Sequence, residues 1–349
     1  MKNPFDQTYI LKILQELLNT PSPTGYCHHI IEKVRHETEK LGYAFHTTNK
    51  GGGVITVPGQ SSEVLGISAH VDTLGAMVRS IKPSGSLKLT SVGGYMGNSI
   101  ENEYCQVHTR DGRTIDGTIL TTKPSVHVYS DARDMKRDES VMEVRLDEIV
   151  SSKADVEALG IRVGDFVSFD PRVQIKSSGY VKSRHLDDKA SVAAIFGMLE
   201  WMKREGVTPQ RTLNIFITTY EEVGHGLAHL PAEVTELLAV DMGAMGDDLT
   251  GNEQQVSICA KDSSGPYDYA MTTRLIELAE RDGIAYAIDI YPNYGSDASA
   301  ALRGGNDIRA ALIGPVVHAS HAMERTHIHA ILGTAALIAA YATDAAVNN

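Results

Sequence analysis

Two stretches with alternating helix and strand patterning, residues 1–72 and 178–349, are interrupted by residues 73–177, where short apolar runs are broken by closely spaced turn signals. That interruption limits the folds open to the chain. An α/β layer needs apolar strands alternating with amphipathic helices, whereas the middle segment offers pairs such as Gly93-Gly94, Asp111-Gly112, Asp116-Gly117 and Gly164-Asp165 and no good helix. The expected architecture is therefore a doubly wound α/β domain, residues 1–72 and 178–349, with a small β-barrel, residues 73–177, inserted into it. Ile10, Leu14, Leu17 and Leu18 form one buried helical stripe that Pro21 and Pro23 end. A second helix is expected over 26–41, then strands over 43–47, 54–57 and 64–69, the last a largely apolar run typical of a strand buried on both faces. Beyond residue 181 a helix carries Val192, Ile195, Phe196 and Leu199 on one face, strands follow over 213–219, 237–240, 256–259 and 308–313, and Ile328, Ile331, Leu332, Ala335, Ile338 and Ala339 mark a closing helix. The charge-dense run SDARDMKRDE, residues 130–139, reads as a solvated loop.

Composition removes several functional classes. Lys and Arg total 32 against 44 Asp and Glu, a net charge of −12, which repels nucleic-acid phosphate in the absence of a segregated basic patch. Cys27, Cys105 and Cys259 are odd in number and widely spaced, arguing against a disulfide framework or thiolate zinc site and for a reducing compartment. With no apolar leader near Lys2 and no span of membrane length, the expected location is cytoplasmic, without a membrane partner.

In open α/β sheets, ligands bind beyond the carboxyl ends of the strands. Here those positions carry His70 and Asp72, the pair Glu221-Glu222, and Asp241; the run His185-Leu186-Asp187-Asp188 enters a helix, and His318 and His321 precede Glu324. Singly, each has an ordinary explanation as a helix cap or a surface group. Together at one sheet edge, the carboxylates would repel one another unless cations lay between them, and two divalent ions supply that charge. Imidazole and carboxylate without thiolate suit zinc, cobalt or manganese. Adjacent residues in extended backbone point opposite ways, so Glu221 and Glu222 divide naturally into one ligand and one base. Asp72, two residues beyond His70, can orient its imidazole. No P-loop, G-x-G-x-x-G, H-E-x-x-H or complete nucleophile elbow is present.

The motifs AHVDTLG (69–75), VGGY (92–95), DGTILTTKPSVH (116–127), GDFVSFD (164–170), HLDDKAS (185–191), YEEVGHG (220–226) and YGSDASA (294–300) resemble, in their order and along nearly the whole chain, the dinuclear metallo-aminopeptidases that include glutamyl, deblocking and tetrahedral dodecameric aminopeptidases. The resemblance implies an exopeptidase domain, a barrel used in self-association as dimer or dodecamer, and peptide substrates. It implies that Asp187 bridges two metals, that His70 and Asp241 complete one site, and that Glu222 and a late histidine hold the other ion. Glu221 would then be the general base, with Asp72 in the catalytic set. His321 is preferred to His318 as the late ligand because Glu324 follows it closely, and Thr73 stands where the family often has Glu. The expected activity is metal-dependent release of N-terminal residues. The alternatives are a related deacylase or dipeptidase, a metal-stabilised assembly protein without turnover and, third, a glycosidase.

Overall fold

The helix α4 (Leu186–Glu205) runs through the middle of the molecule with almost every side chain buried, including Val192, Ile195, Phe196 and Leu199. The computed structural model describes residues 4–344. Ahead of α4 come α1 (Gln7–Leu18), capped by Asp6, whose carboxylate accepts from the Thr8 and Tyr9 N–H groups, and α2 (His28–Leu41). Three strands follow, β1 (Ala44–Thr47), β2 (Gly53–Val57) and β3 (Ser61–His70).

The chain then forms a closed six-stranded barrel from β4 (Gly75–Ile81), β5 (Leu87–Val92), β6 (Tyr104–His108), β7 (Thr114–Thr121), β8 (Met142–Leu146) and β9 (Phe166–Phe169). Its interior is filled by alternating residues such as Ala76, Val78, Leu87, Leu89, Val107, Ile119, Val144 and Val167. The expectation of no helix in this segment is corrected by α3 (Lys153–Ala158). That short helix is carried by local chemistry rather than periodicity: Ser152 and Asp155 form a reciprocal capping box, and Val156 is its one buried residue.

Two short strands, β10 (Gln174–Ile175) and β11 (Tyr180–Ser183), lead into α4, after which the large sheet is completed by β12 (Arg211–Thr218), β13 (Val234–Val240), β14 (Gly243–Ala244), β15 (Val256–Asp262), β16 (Gly265–Pro266), β17 (Tyr286–Ile290) and β18 (Arg309–Val317). Between them lie α5 (Tyr269–Asp282) and α6 (Asp297–Arg303); β19 (Glu324–His327) pairs with β11, and α7 (Ile328–Thr343) closes the chain. The sheet order is β1-β2-β12-β3-β13-β18-β15, parallel through β12, β3, β13 and β18. Helices α1, α2, α4, α5 and α7 pack against the face carrying Ile67, Ile215, Leu238 and Ile313, while α6 and its loops cover the face carrying Phe216, Leu237, Ala239 and Leu312. Both faces are covered, the doubly wound arrangement that apolar strands demand.

The parallel strands end together, which brings His70 at the end of β3, the segment after β12 and Asp241 after β13 to one edge. Gly314 makes this edge compact: a Cβ there would run into the Asp241 carbonyl, so only glycine lets β18 pass so close.

Candidate dinuclear metal centre

Two histidines face each other across Asp187, and each is held the same way. His70 Nδ1 lies 2.9 Å from the Asp72 backbone carbonyl and its Nε2 lies 3.1 Å from Asp187 Oδ1. His321 Nδ1 lies 2.6 Å from the Gly94 carbonyl and its Nε2 is 3.3 Å from Asp187 Oδ2 and 3.6 Å from Glu222 Oε2. A carbonyl accepts only, so each Nδ1 must carry a proton, and each Nε2 is turned inward, where it donates to Asp187 when protonated and would offer its electron pair to a cation when not. The two oxygens of Asp187 thus point to different imidazoles.

His70 with Asp187 and Glu222, and His70 with Glu221 and Asp241, each offer three donor atoms within 4.8 Å of one another. All five residues named for metal binding, His70, Asp187, Glu222, Asp241 and His321, therefore meet at one sheet edge, with Glu221 beside them: its Oε2 is 3.6 Å from His70 Nε2. His318 stays outside. It is exposed and engaged through its backbone in an isolated bridge with Arg325.

Burial is the main force on the acids. It pushes Glu221 and Glu222 well above the ordinary carboxylate range and, helped by the charge on Asp187, lifts Asp241 to about 7. Asp187 is also buried, yet hydrogen bonds from His321 and His70 hold it below its usual value. Against burial, the same contacts raise His70 and take His321 to about 10. A buried set of carboxylates whose ion-pair partners among the described residues are imidazoles fits divalent cations, and the oxygen and nitrogen donors fit metals that bind such ligands.

Asp72 is buried and does more than the sequence expectation allotted to it. Its backbone carbonyl, rather than its carboxylate at 3.4 Å, gives His70 the shorter contact. The carboxylate accepts from the Thr24 hydroxyl at 2.6 Å and from the Glu221 and Glu222 N–H groups at 3.2 and 3.3 Å. It thereby ties the His70 strand end to the loop carrying both glutamates. Asp188, not singled out from the sequence as a site residue, accepts from the His70 N–H at 3.2 Å.

Glu324, used above only to place the late histidine, proves to be a brace. One carboxylate oxygen accepts from the Asp187 N–H and the other from the His321 N–H, both at 3.1 Å. His185, Ala319 and His321 all have left-handed backbone, with φ of 67°, 58° and 62°. Such conformations cost roughly 1–2 kcal/mol per residue outside glycine and persist where surrounding contacts hold them. Glu324→Ala strips both N–H groups of their acceptor and is expected to weaken metal binding about 10- to 100-fold, as loss of an orienting partner does. Chelator competition on the purified variant checks this.

The family model for M42 glutamyl aminopeptidase matches residues 51–337. The chain belongs to that family. Members of the M42 family hydrolyse peptides, and this chain is an aminopeptidase whose metal dependence is a family property. The chain is 48% identical over 333 residues to the protein YhfE of Bacillus subtilis (strain 168), an alignment covering 95% of this chain and 96% of that one. Among solved structures, a TET aminopeptidase from the marine sediment archaeon Thaumarchaeota archaeon SCGC AB-539-E09 superposes with a TM-score of 0.88 at 17% identity, covering 97% of each chain. The Pyrococcus horikoshii TET1 peptidase superposes with a TM-score of 0.85 at 24% identity, over 96% of this chain and 99% of that one. At those identities the superpositions establish the shared fold.

Proposed function

We propose that this M42 aminopeptidase works through two divalent ions held by His70, Asp187 and Asp241 on one side and by Asp187, Glu222 and His321 on the other. The observation that carries the reading is the orientation of Asp187, whose oxygens are directed to two imidazoles anchored through their outer nitrogens. Such ions, when bound, polarise a peptide carbonyl and make water acidic enough to attack near neutral pH.

The chain's own groups do the rest. Glu221 takes a proton on its carboxylate from the attacking water and returns it to the departing amine. It is the more open of the pair, its side chain 15% exposed against 3% for Glu222, and both proposed ligand sets are complete without it. Asp72 positions both glutamates and His70 through the contacts described above. Residues 73–177 are the inserted barrel domain in this reading, and its loop contributes the Gly94 carbonyl that orients His321. The solved TET1 peptidase can assemble into a tetrahedron or a large octahedral shell, which supports self-association of this chain. Three free, buried cysteines agree with work in a reducing cytoplasm, and no helix among the described residues is long and apolar enough to cross a membrane.

The test is a panel of free and N-acetylated aminoacyl anilides offered to chelated protein and to the same protein reloaded with zinc, cobalt or manganese. The expected result is no turnover without metal, recovery as the ratio approaches two ions per chain, and hydrolysis confined to free N-termini. Preferential cleavage of acetylated substrates would instead make this a deacylase.

A further inference from the structure

The cavity that opens onto the carboxylate cluster, about 630 Å³, is lined at one end by Asp187, Glu221, Glu222 and Asp241. Its remaining wall includes Tyr95, Met96, Met242 and Tyr294, and among the described residues it contains one arginine or lysine side chain, Arg303, the last residue of α6, besides the His321 imidazole that faces Asp187. Arg303 is exposed and, among the described residues, its side chain has neither a hydrogen bond nor an ion pair. Other arginines of the catalytic domain are spoken for: Arg211 and Arg309 are paired with Glu236, and Arg325 with Glu253. Of the acids that share the cavity with Arg303, Asp187, Glu221 and Glu222 are turned to His70 or His321, and Asp241 accepts from the Met242 N–H and groups with His70. Arg303 is therefore a guanidinium with no protein anion of its own, in the space a substrate must occupy.

We propose that Arg303 determines specificity by pairing with a carboxylate of the substrate, a proposal that rests on the cluster being the place of peptide hydrolysis. A guanidinium offers a planar fork of N–H donors that matches a carboxylate in two parallel hydrogen bonds, and it repels an ammonium group. Two substrate carboxylates have this chemistry: the side chain of an acidic N-terminal residue, and the free α-carboxylate of a dipeptide. The apolar wall residues suit the methylene or peptide segment that joins such a carboxylate to the scissile bond.

The experiment uses the metal-loaded full chain, wild type, Arg303→Ala and Arg303→Glu. It reads kcat/KM for glutamyl, alanyl and lysyl p-nitroanilides, and for the dipeptide Ala-Ala against its C-terminal amide. Wild type is expected to prefer the carboxylate-bearing member of one pair. Arg303→Ala is expected to reduce that preference roughly 10- to 100-fold, the range for a charge-assisted hydrogen-bonded contact. A fall in the glutamyl-to-alanyl ratio assigns the partner to the N-terminal side chain, and a fall in the dipeptide-to-amide ratio assigns it to the terminal carboxylate. In either case Arg303→Glu should shift the ratios further, raising lysyl over glutamyl anilide if the partner is the side chain, and this reversal is beyond the reach of a merely structural defect. If wild type hydrolyses alanyl anilide but neither ratio moves in either variant, Arg303 is not the specificity residue and the catalytic reading stands. Failure of metal-loaded wild type on every substrate overturns the catalytic reading, and this proposal with it.

Discussion

Glu221→Gln is expected to lower kcat by about 10² to 10⁴, the range associated with loss of a positioned general acid–base group, while the chain keeps its full metal content. The amide is nearly isosteric with the carboxylate but cannot accept a proton at neutral pH. Its N–H neighbours remain: the backbone of residue 221 still donates to Asp72, and Asp72 still receives Thr24 and Glu222. The loop geometry is therefore retained and the proton transfer is lost. Steady-state kinetics and elemental analysis on the same preparation check the prediction together. Retained activity defeats the assignment of the base. Loss of metal moves Glu221 into the ligand set, which its 4.8 Å grouping with His70 and Asp241 makes a meaningful comparison.

Asp187→Ala is expected to remove both ions and bring turnover to background, a larger effect than loss of any single neighbour. Among the described residues, Asp187 is the one carboxylate whose two oxygens face the two histidines, His70 at 3.1 Å and His321 at 3.3 Å. Taking it away leaves His70 and His321 without their common partner and breaks each proposed ligand set at once. Thermal unfolding supplies a readout independent of activity. A ligand present at about 100 times its Kd stabilises the folded state by about 2.7 kcal/mol, so the wild-type melting temperature should rise on adding metal and that of the variant should not. A variant that still binds two ions per chain, and still melts higher with them, would show that Asp187 is not the bridge.

Much of the scaffold was legible in the residues because its signals are local or periodic. The α1 stripe, the closing helix and the apolar β3 run each follow from a side-chain period that any buried helix or strand must obey. The turn-rich middle segment read as a barrel, and its strands close into one. What escaped was carried by weaker signals. Helix α3 depends on a capping box around one buried valine, too short for periodicity to register. β18 runs on to Val317, beyond the strand expected over 308–313, and Gly314 permits its close approach to Asp241.

In the site, residue types at strand ends pointed to His70, Glu221, Glu222 and Asp241, while family resemblance supplied the proposed division of roles. The choice of His321 over His318 is a different matter, because only two residues separate them and both are histidines near the same strand. The fold separates them: His318 is exposed, whereas the left-handed turn at His321, braced by Glu324, directs its imidazole at Asp187. The braces themselves were invisible, since a buried carboxylate accepting backbone N–H groups leaves no pattern in the residues around it.

Sequence alone determined the α/β grammar, the barrel insertion and the chemical types gathered at the strand ends, because periodicity, turn residues and donor atoms are properties of short segments. Only the tertiary structure decided which nitrogen of each histidine turns inward, that both oxygens of Asp187 are engaged, that Glu324 holds two distant turns, and that the Arg303 side chain lines the same cavity without a partner among the described residues. Those features depend on distances between segments more than a hundred residues apart, such as Gly94 and His321, which are set by how the sheet, the barrel and the helices pack.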